Sequence, residues 1–399
     1  MISVLKDELH AVSDPRIEGR TQHLLIDILV IGVLAVICHA ETWEEIANFA
    51  QSRKKWLKQF LKLPNGIPSH DTIARVYSII EPKELEMAFI SWVKRVQADR
   101  GRKKDTICID GKSLHGTSES TYGQSRKCLH VVSAWSTAQG IVLGQLKARG
   151  KGNAEVSAAM ELIDLLDIEK MILVGDAGIG KVSIVEKIVN KKADYIFPIK
   201  SDSRRYYEDV KAMFVSRSGY ECESCNVEEV GHGRKERRTV SIIRKNQFPI
   251  NFNKNDNGSD HFFKLNTIGK VVYERELAET APFTYKSGKR EITKSPIRYE
   301  TETRYFISSL RRSPRAMLDQ LRLQWGIENQ LHWSLDVNLG EDANKTRNKV
   351  AAENLAVARK IALNLVKQDK TLKVGLKSKL KQAAWDLDYL EQLLLKTEF

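Results

Sequence analysis

Asp110 and Asp176 each close a short apolar run beside a glycine. Thr106–Asp110 reads Thr-Ile-Cys-Ile-Asp before Gly111, and Met171–Gly175 reads Met-Ile-Leu-Val-Gly before Asp176. A β-branched strand that ends in Asp is how a parallel sheet presents acidic groups at a shared edge. A third carboxylate, Glu328, falls in a helical stretch, 314–335, opened by Pro314 at a good first-turn position. There Leu318, Leu321, Trp325, Glu328 and His332 follow i, i+3/i+4 spacing on one stripe. Leu321 and Trp325 mark that stripe as buried, where an uncompensated carboxylate is costly. Gly326 would permit close approach of another element.

Three carboxylates on separate elements suit hard divalent cations, Mg²⁺ or Mn²⁺, which take carboxylate and water oxygens. Two such ions about 4 Å apart can clamp the attacking and leaving oxygens of an in-line displacement at phosphorus. Lys112, just past Asp110, is placed to meet a phosphate. Each residue also has a plainer reading. Asp110-Gly111 alone is a turn, Lys112 a solvated turn lysine, and Glu328 a partner for Arg322 or Arg312.

The elements that must position these groups are legible in outline. Residues 1–98 read as helical. Leu24–Ala40 is the most apolar segment, but it is shorter than the ~20 residues a bilayer requires and carries Asp27 and His39. It reads as a buried core helix. Ser69 is a plausible N-cap for a helix whose apolar face is Ile73, Val76, Ile79 and Ile80. These helices, with the basic run Arg53–Lys58, suit a helix-turn-helix-like DNA module or, equally, an ordinary bundle. Arg100–Lys104 is a charged linker and a domain boundary. Strands follow at 106–110, 130–135 and 141–146, the last two a hairpin about Gly140. Next come a helix at 154–166, a strand at 171–175, a helix at 182–191, a strand at 194–199 and a helix at 203–214. Residues 217–300 break this pattern as a polar, β-rich insertion, and a strand follows at 304–309. From 346 to 399 the chain is helical and basic, with Leu363, Leu365, Val366, Leu376 and Leu380 as core candidates.

The order of three meandering strands, then helix-strand-helix-strand, is that of the ribonuclease-H-like fold. That fold makes its first and fourth strands neighbours, which would bring Asp110 and Asp176 together. The fold class expected is therefore α/β: a ribonuclease-H-like mixed sheet over 104–345 with a β-rich insertion, flanked by helical segments.

Composition supports a polyanionic partner. The chain of 399 residues carries 64 basic against 51 acidic residues, a net charge of +13, and neutralising phosphates releases counterions. Met1–Val12 lacks the pattern of a secretory signal, and the five cysteines form no framework. A reducing, cytoplasmic setting without a membrane is expected.

The motifs carry a resemblance. Ile109-Asp110-Gly111-Lys112, Gly175-Asp176-Ala177, Trp325-Gly326-Ile327-Glu328-Asn329 and Leu331-His332-Trp333-Ser334-Leu335-Asp336-Val337 resemble those of insertion-sequence DDE transposases, closest to the H-repeat-associated branch. The likeness extends to Asp14-Pro15-Arg16, His232-Gly233-Arg234 and Asn354-Leu355-Ala356. It implies Asp110, Asp176 and Glu328 as a catalytic, metal-binding triad, and double-stranded DNA (element ends and target) as substrate. A homodimer in the synaptic complex is implied too. Candidate DNA contacts are Lys112, His232, Arg234, Arg237, Lys345 and Arg347. Where wider relatives carry Tyr, Arg and Lys around the catalytic Glu, this chain has Leu321, Gln324 and Leu335, so those DNA contacts do not carry over.

Three other readings compete. Gly175–Lys181 has P-loop spacing, but Val182 stands where Ser or Thr should hold Mg²⁺, and Asp176 would put negative charge in the cradle. Cys222, Cys225 and His232 suggest zinc without a second cysteine pair. A DNA-binding protein without catalysis, either a degenerate transposase or a repressor, fits the charge and the amino-terminal helices.

Overall fold

A computed structural model describes residues 2–98, 104–118, 128–150, 152–200, 204–215, 219–231, 234–254, 261–277, 285–286, 289–290 and 298–395. The linker residues 100–103 lie outside them. The chain forms two compact units, Met1–Ile172 with Leu323–Phe399, and Leu173–Arg322.

The first unit opens with six helices: α1 Ile2–Leu9, α2 Leu25–Ile37, α3 Trp43–Ser52, α4 Lys54–Leu57, α5 His70–Ile79 and α6 Pro82–Ala98. Every residue of α2 except Ile26 is buried, as an all-round apolar helix must be. Its one charge, Asp27, accepts the Leu63 N–H at 2.8 Å, so the buried carboxylate is not left bare. Among the described residues no helix is long and apolar enough to cross a membrane. Ser69 caps α5 as expected, its hydroxyl accepting the Thr72 N–H at 3.3 Å. The buried stripe of α5 is Ile73, Val76, Tyr77 and Ile80, while Ile79 is exposed. Spacing of three and four places Tyr77, rather than Ile79, on the inner face.

Strand β1 Thr106–Leu114 follows, then β2 Leu129–Ser136, β3 Ile141–Lys147 and helix α7 Ala154–Leu165. The three strands form an antiparallel meander, with Gly140 at φ 64° turning the β2–β3 hairpin. Here one expectation is corrected. Asp110 does not end its strand at a glycine turn. β1 runs on to Leu114, pairing Asp110 with Ser133, Gly111 with Val132 and Leu114 with Leu129. Gly111 serves packing instead, since a Cβ there would collide with Glu155 and with His130 Nε2.

The unit closes with residues 323–399. The second unit runs through β4 Ile172–Gly175, α8 Val182–Asn190, β5 Asp194–Ile199, α9 Arg204–Met213, β6 Glu223–Gly231, β7 Arg234–Arg244, β8 Thr267–Leu277, the short pair β9 Tyr285–Lys286 and β10 Lys289–Arg290, and β11 Arg298–Ser308. Its main strands lie in the order β4-β5-β11-β8-β7-β6. β11 is antiparallel to β5 through Ser308↔Ile196 and to β8 from Arg298↔Leu277 to Ser308↔Thr267. The polar hairpins thus prolong the sheet. β11 begins at Arg298, earlier than the apolar pattern predicts, and its residues 300–304 are exposed. There the backbone ladder and charged pairs such as Arg304–Glu302 stand in for an apolar face.

Gly269 on β8 faces Phe306 on β11. A Cβ at Gly269 would overlap the buried Phe306 ring. Gly269→Ala is expected to cost about 1–3 kcal/mol through overpacking, read as a lower midpoint in urea unfolding.

After β11 come α10 Pro314–Gly326, a π-helical turn Ile327–His332, α11 Trp333–Leu339, α12 Lys349–Gln368, α13 Leu376–Trp385 and α14 Leu387–Leu395. α12 is buried from Ala351 to Val366 and packs on α2, α5, α6 and β3. Leu363, Leu365, Val366 and Leu380 are core as expected; Leu376, at the start of α13, is half-buried.

Candidate active site

The expected single helix over 314–335 is interrupted, and the interruption builds the site. The π turn re-phases the chain, so Ile327, Leu331 and His332 point inward; Trp325, at the end of α10, stands 47% exposed. Glu328 is exposed as well, so the uniformly buried stripe does not exist. Gly326 meets nothing within 4 Å of an added Cβ, and its expected close approach is likewise absent.

In this geometry His332 Nδ1 lies 3.0 Å from Glu328 Oε2 and 3.8 Å from Asp110 Oδ2. Asp110, Glu328 and His332 each offer a ligand atom, all within 4.8 Å of one another. Asp110 is half-buried on β1, with Oδ1 accepting the Gly111 N–H at 3.0 Å. His332 is 3% exposed. Burial pushes its imidazole pKa below the ordinary value, partly opposed by the Glu328 hydrogen bond and reinforced by Lys112. A neutral ring facing two carboxylates through Nδ1 carries its proton there. Its Nε2 is buried without a hydrogen-bond partner among the described residues.

Lys112, two residues beyond Asp110, is on the same face of β1. It is neither in a turn nor solvated. Its side chain is 10% exposed and forms an ion pair with Asp336 of α11. Behind it, Lys360 Nζ meets Glu341 Oε1 at 3.1 Å, both fully buried, and Arg359 Nε donates to the Leu339 carbonyl at 3.1 Å. Sequence reading places His332 on the stripe and, with Asp336, in a family motif, but gives neither a role, and it misses Glu341 and Lys360. The available signal was Arg359-Lys360 between the apolar runs Leu355–Ala358 and Ile361–Leu363, since buried cations are seldom left unpaired.

Asp176 belongs to the second unit, directly after β4. Its Oδ1 accepts the Ile179 N–H at 2.9 Å, and Lys200 Nζ is 3.7 Å from its Oδ2. The glycines of this loop have local causes, because a Cβ at Gly180 would come within 2.8 Å of Phe197 Cβ. An amide that a P-loop would turn to phosphate is here taken by Asp176 itself. Arg322 is engaged by Glu229, its Nη2 at 3.1 Å from Oε2, and Glu328 has His332 as partner. Of the candidate DNA contacts, His232 lies outside the described residues, and Arg234 is the first residue of β7. Arg237 sits between Glu228 and Glu274, 3.8 Å from each. Lys345 and Arg347 are exposed between α11 and α12. Cys222 is exposed and Cys225 half-buried on β6, both free thiols.

Residues 101–365 match a family model described as "Transposase DDE domain", and residues 6–93 match one described as "DDE_Tnp_1-associated". The chain belongs to the DDE transposase family. It is 34% identical to "Putative transposase YncI" of Escherichia coli O157:H7, over 98% of this chain and 95% of that protein. It is also 34% identical to "H repeat-associated putative transposase YhhI" of Escherichia coli (strain K12), over 98% and 97%. A shorter relative from the same strain, "Inactive transposase YbfQ", is 43% identical over 18% of this chain and 88% of its own length. A cryo-EM structure of the piggyBac transposase synaptic complex with hairpin DNA aligns at TM-score 0.39 and 10% identity, covering 100% of this chain and 79% of that one. That likeness is too low to argue from. For a DDE transposase, the convergence of Asp110 and Glu328 on His332 is the feature that bears on chemistry.

Proposed function

We propose that this transposase cuts DNA at the ends of an insertion sequence and joins the exposed 3′-OH to target DNA. Asp110, Asp176 and Glu328 are the carboxylates we assign to Mg²⁺ or Mn²⁺. The observation that carries this reading is the meeting of Asp110 and Glu328 at His332. Two converging carboxylates are a donor set that a hard divalent cation accepts. When bound, the ions would supply Lewis-acid stabilisation of the attacking and leaving oxygens.

The chain's own residues account for the rest. His332 Nδ1–H orients the Glu328 carboxylate, which would otherwise sample many rotamers on an exposed face. The Lys112–Asp336 pair stiffens β1 beside Asp110. In the first step water attacks phosphorus and the P–O3′ bond breaks, leaving a 3′-OH and a 5′-phosphate. In the second, that hydroxyl attacks a target phosphate, a new P–O3′ bond forms, and the target's own 3′-oxygen leaves with a proton. The order β1, β2, β3, α7, β4, α8, β5 supports a ribonuclease-H-like core for this chemistry. Helices α1–α6 are the candidate end-binding module, and a homodimer would hold two ends. The reaction would take place in the cytoplasm, with His232, Arg234, Arg237, Lys345 and Arg347 as further candidate DNA contacts.

The test is incubation of the purified chain with duplex DNA carrying the repeats that flank its gene. Strand-specific nicks ending in 3′-OH, and joined products, are expected with Mg²⁺ and not with EDTA. Specific binding without cleavage under any divalent ion would favour the non-catalytic DNA-binding reading instead.

A further inference from the structure

The second unit sorts its positive charge in two ways. On the strands, arginines are answered by glutamates: Arg238 by Glu229 and Glu236, Arg275 by Glu236, and Arg304 by Glu302. Such pairs cancel locally and leave little field for a ligand. The pattern changes where β7 ends and α10 begins.

There the lining of an open cavity of about 410 Å³ includes Lys245, Asn246, Asn266, Arg311, Arg312 and Ser313. Its frame is fixed by hydrogen bonds. Arg244 grips Glu223 through Nε and Nη2, at 2.7 and 2.9 Å, and donates from Nη2 to the Arg312 carbonyl at 2.8 Å. Asn266 Nδ2 donates to the Ser309 carbonyl at 2.7 Å, and its Oδ1 accepts from Arg311 Nη2 at 3.2 Å. Glu223 is thereby spent on Arg244. Lys245 and Arg312 have no carboxylate within ion-pair distance among the described residues, and Arg311 is held only by a neutral amide.

The walls therefore present three cations without a carboxylate partner among the described residues. α10 adds to them, for it starts at Pro314 with no acidic residue in its first turn, so its positive end is unopposed. Asn246 and Ser313 supply neutral hydrogen-bonding groups. This combination suits an oxyanion with several acceptor oxygens and spread charge.

We propose that this cavity is a binding site for the phosphodiester backbone of DNA, with Lys245, Arg311 and Arg312 as its cationic contacts. The choice of DNA over free phosphate rests on the reading of the chain as a DNA-cutting transposase. The cavity is also open, as a polymer passing through it requires. Such a contact positions the duplex and reads no base.

The test is the salt dependence of duplex binding by the full chain. Each lost phosphate contact lowers the slope of log K against log salt by about 1. Lys245→Ala/Arg312→Ala should lower it by about 2, and Arg304→Ala, outside the cavity, should leave it unchanged. Wild-type slope in the double variant would overturn the proposal. Calorimetric binding of inorganic phosphate that disappears in the double variant, with an unaltered DNA slope, would also overturn it, by making the site one for free phosphate. Failure of the wild type to bind any duplex would refute the proposed function itself. That outcome would overturn the DNA contact as well, and phosphate heat lost in the double variant would then mark a site for free phosphate.

Discussion

Asp110→Asn, Asp176→Asn and Glu328→Gln are each expected to reduce Mg²⁺-dependent end cleavage by about 10²–10³-fold or more, with duplex binding retained. The substitutions are chosen so that shape and hydrogen bonding survive while charge is lost. Asn at 176 can still accept the Ile179 N–H that Asp176 now takes at 2.9 Å. Gln at 328 can still accept from His332 Nδ1, now 3.0 Å from the carboxylate. Asn at 110 occupies the same place on β1, whose pairing with β2 runs past it on both sides. What each loses is the anionic oxygen a hard cation needs. Cleavage at the wild-type rate in any one variant would remove that residue from the proposed role.

Lys360→Met is expected to cost about 3–5 kcal/mol of stability at neutral pH, measured by urea unfolding. The change removes one half of a buried pair and leaves Glu341, 1% exposed, without the ammonium 3.1 Å away. Burial by itself would raise the Glu341 carboxyl pKa; the charges of Lys360, Arg359 and Lys112 outweigh it and hold the group below the ordinary carboxylate value. A depressed pKa contributes stability above the unfolded value of about 4.3 and loses it as pH falls below that. Wild-type stability from this pair should therefore fade on acidification, and the gap to Lys360→Met should narrow. Adding Glu341→Leu to Lys360→Met should recover much of the loss, because two apolar side chains need no partner. A Lys360→Met protein as stable as wild type would show the pair to be inert.

Local signals in this chain are read well where a residue's own neighbours decide the outcome. Ser69 caps α5 because a hydroxyl before a helix satisfies a free amide two or three residues on. α2 is buried because no face of it is polar, and β2 and β3 pair because Gly140 permits a tight turn. Reading fails where a distant element decides. Asp110-Gly111 by itself predicts a turn, yet β2 continues alongside it and Glu155 of α7 fills the space a side chain would need. Spacing with Leu318 and Leu321 predicts a buried Trp325, yet it stands exposed at the end of α10. Arg298–Thr303 carries no strand pattern, since both of its faces are polar and only β8 alongside it makes it a strand.

The sequence by itself determined the chemistry-bearing residue types, most of the helices and strands, and, through its motifs, membership of the DDE transposase family. Those follow from short-range spacing, which a linear chain displays openly. Only the tertiary structure decided that Glu328 shares its site with Asp110 through His332, that Lys112 is held by Asp336, and that Lys360 is buried against Glu341. Each of these joins groups from different elements, and the energy of a buried charge depends on partners that spacing along one element does not reveal.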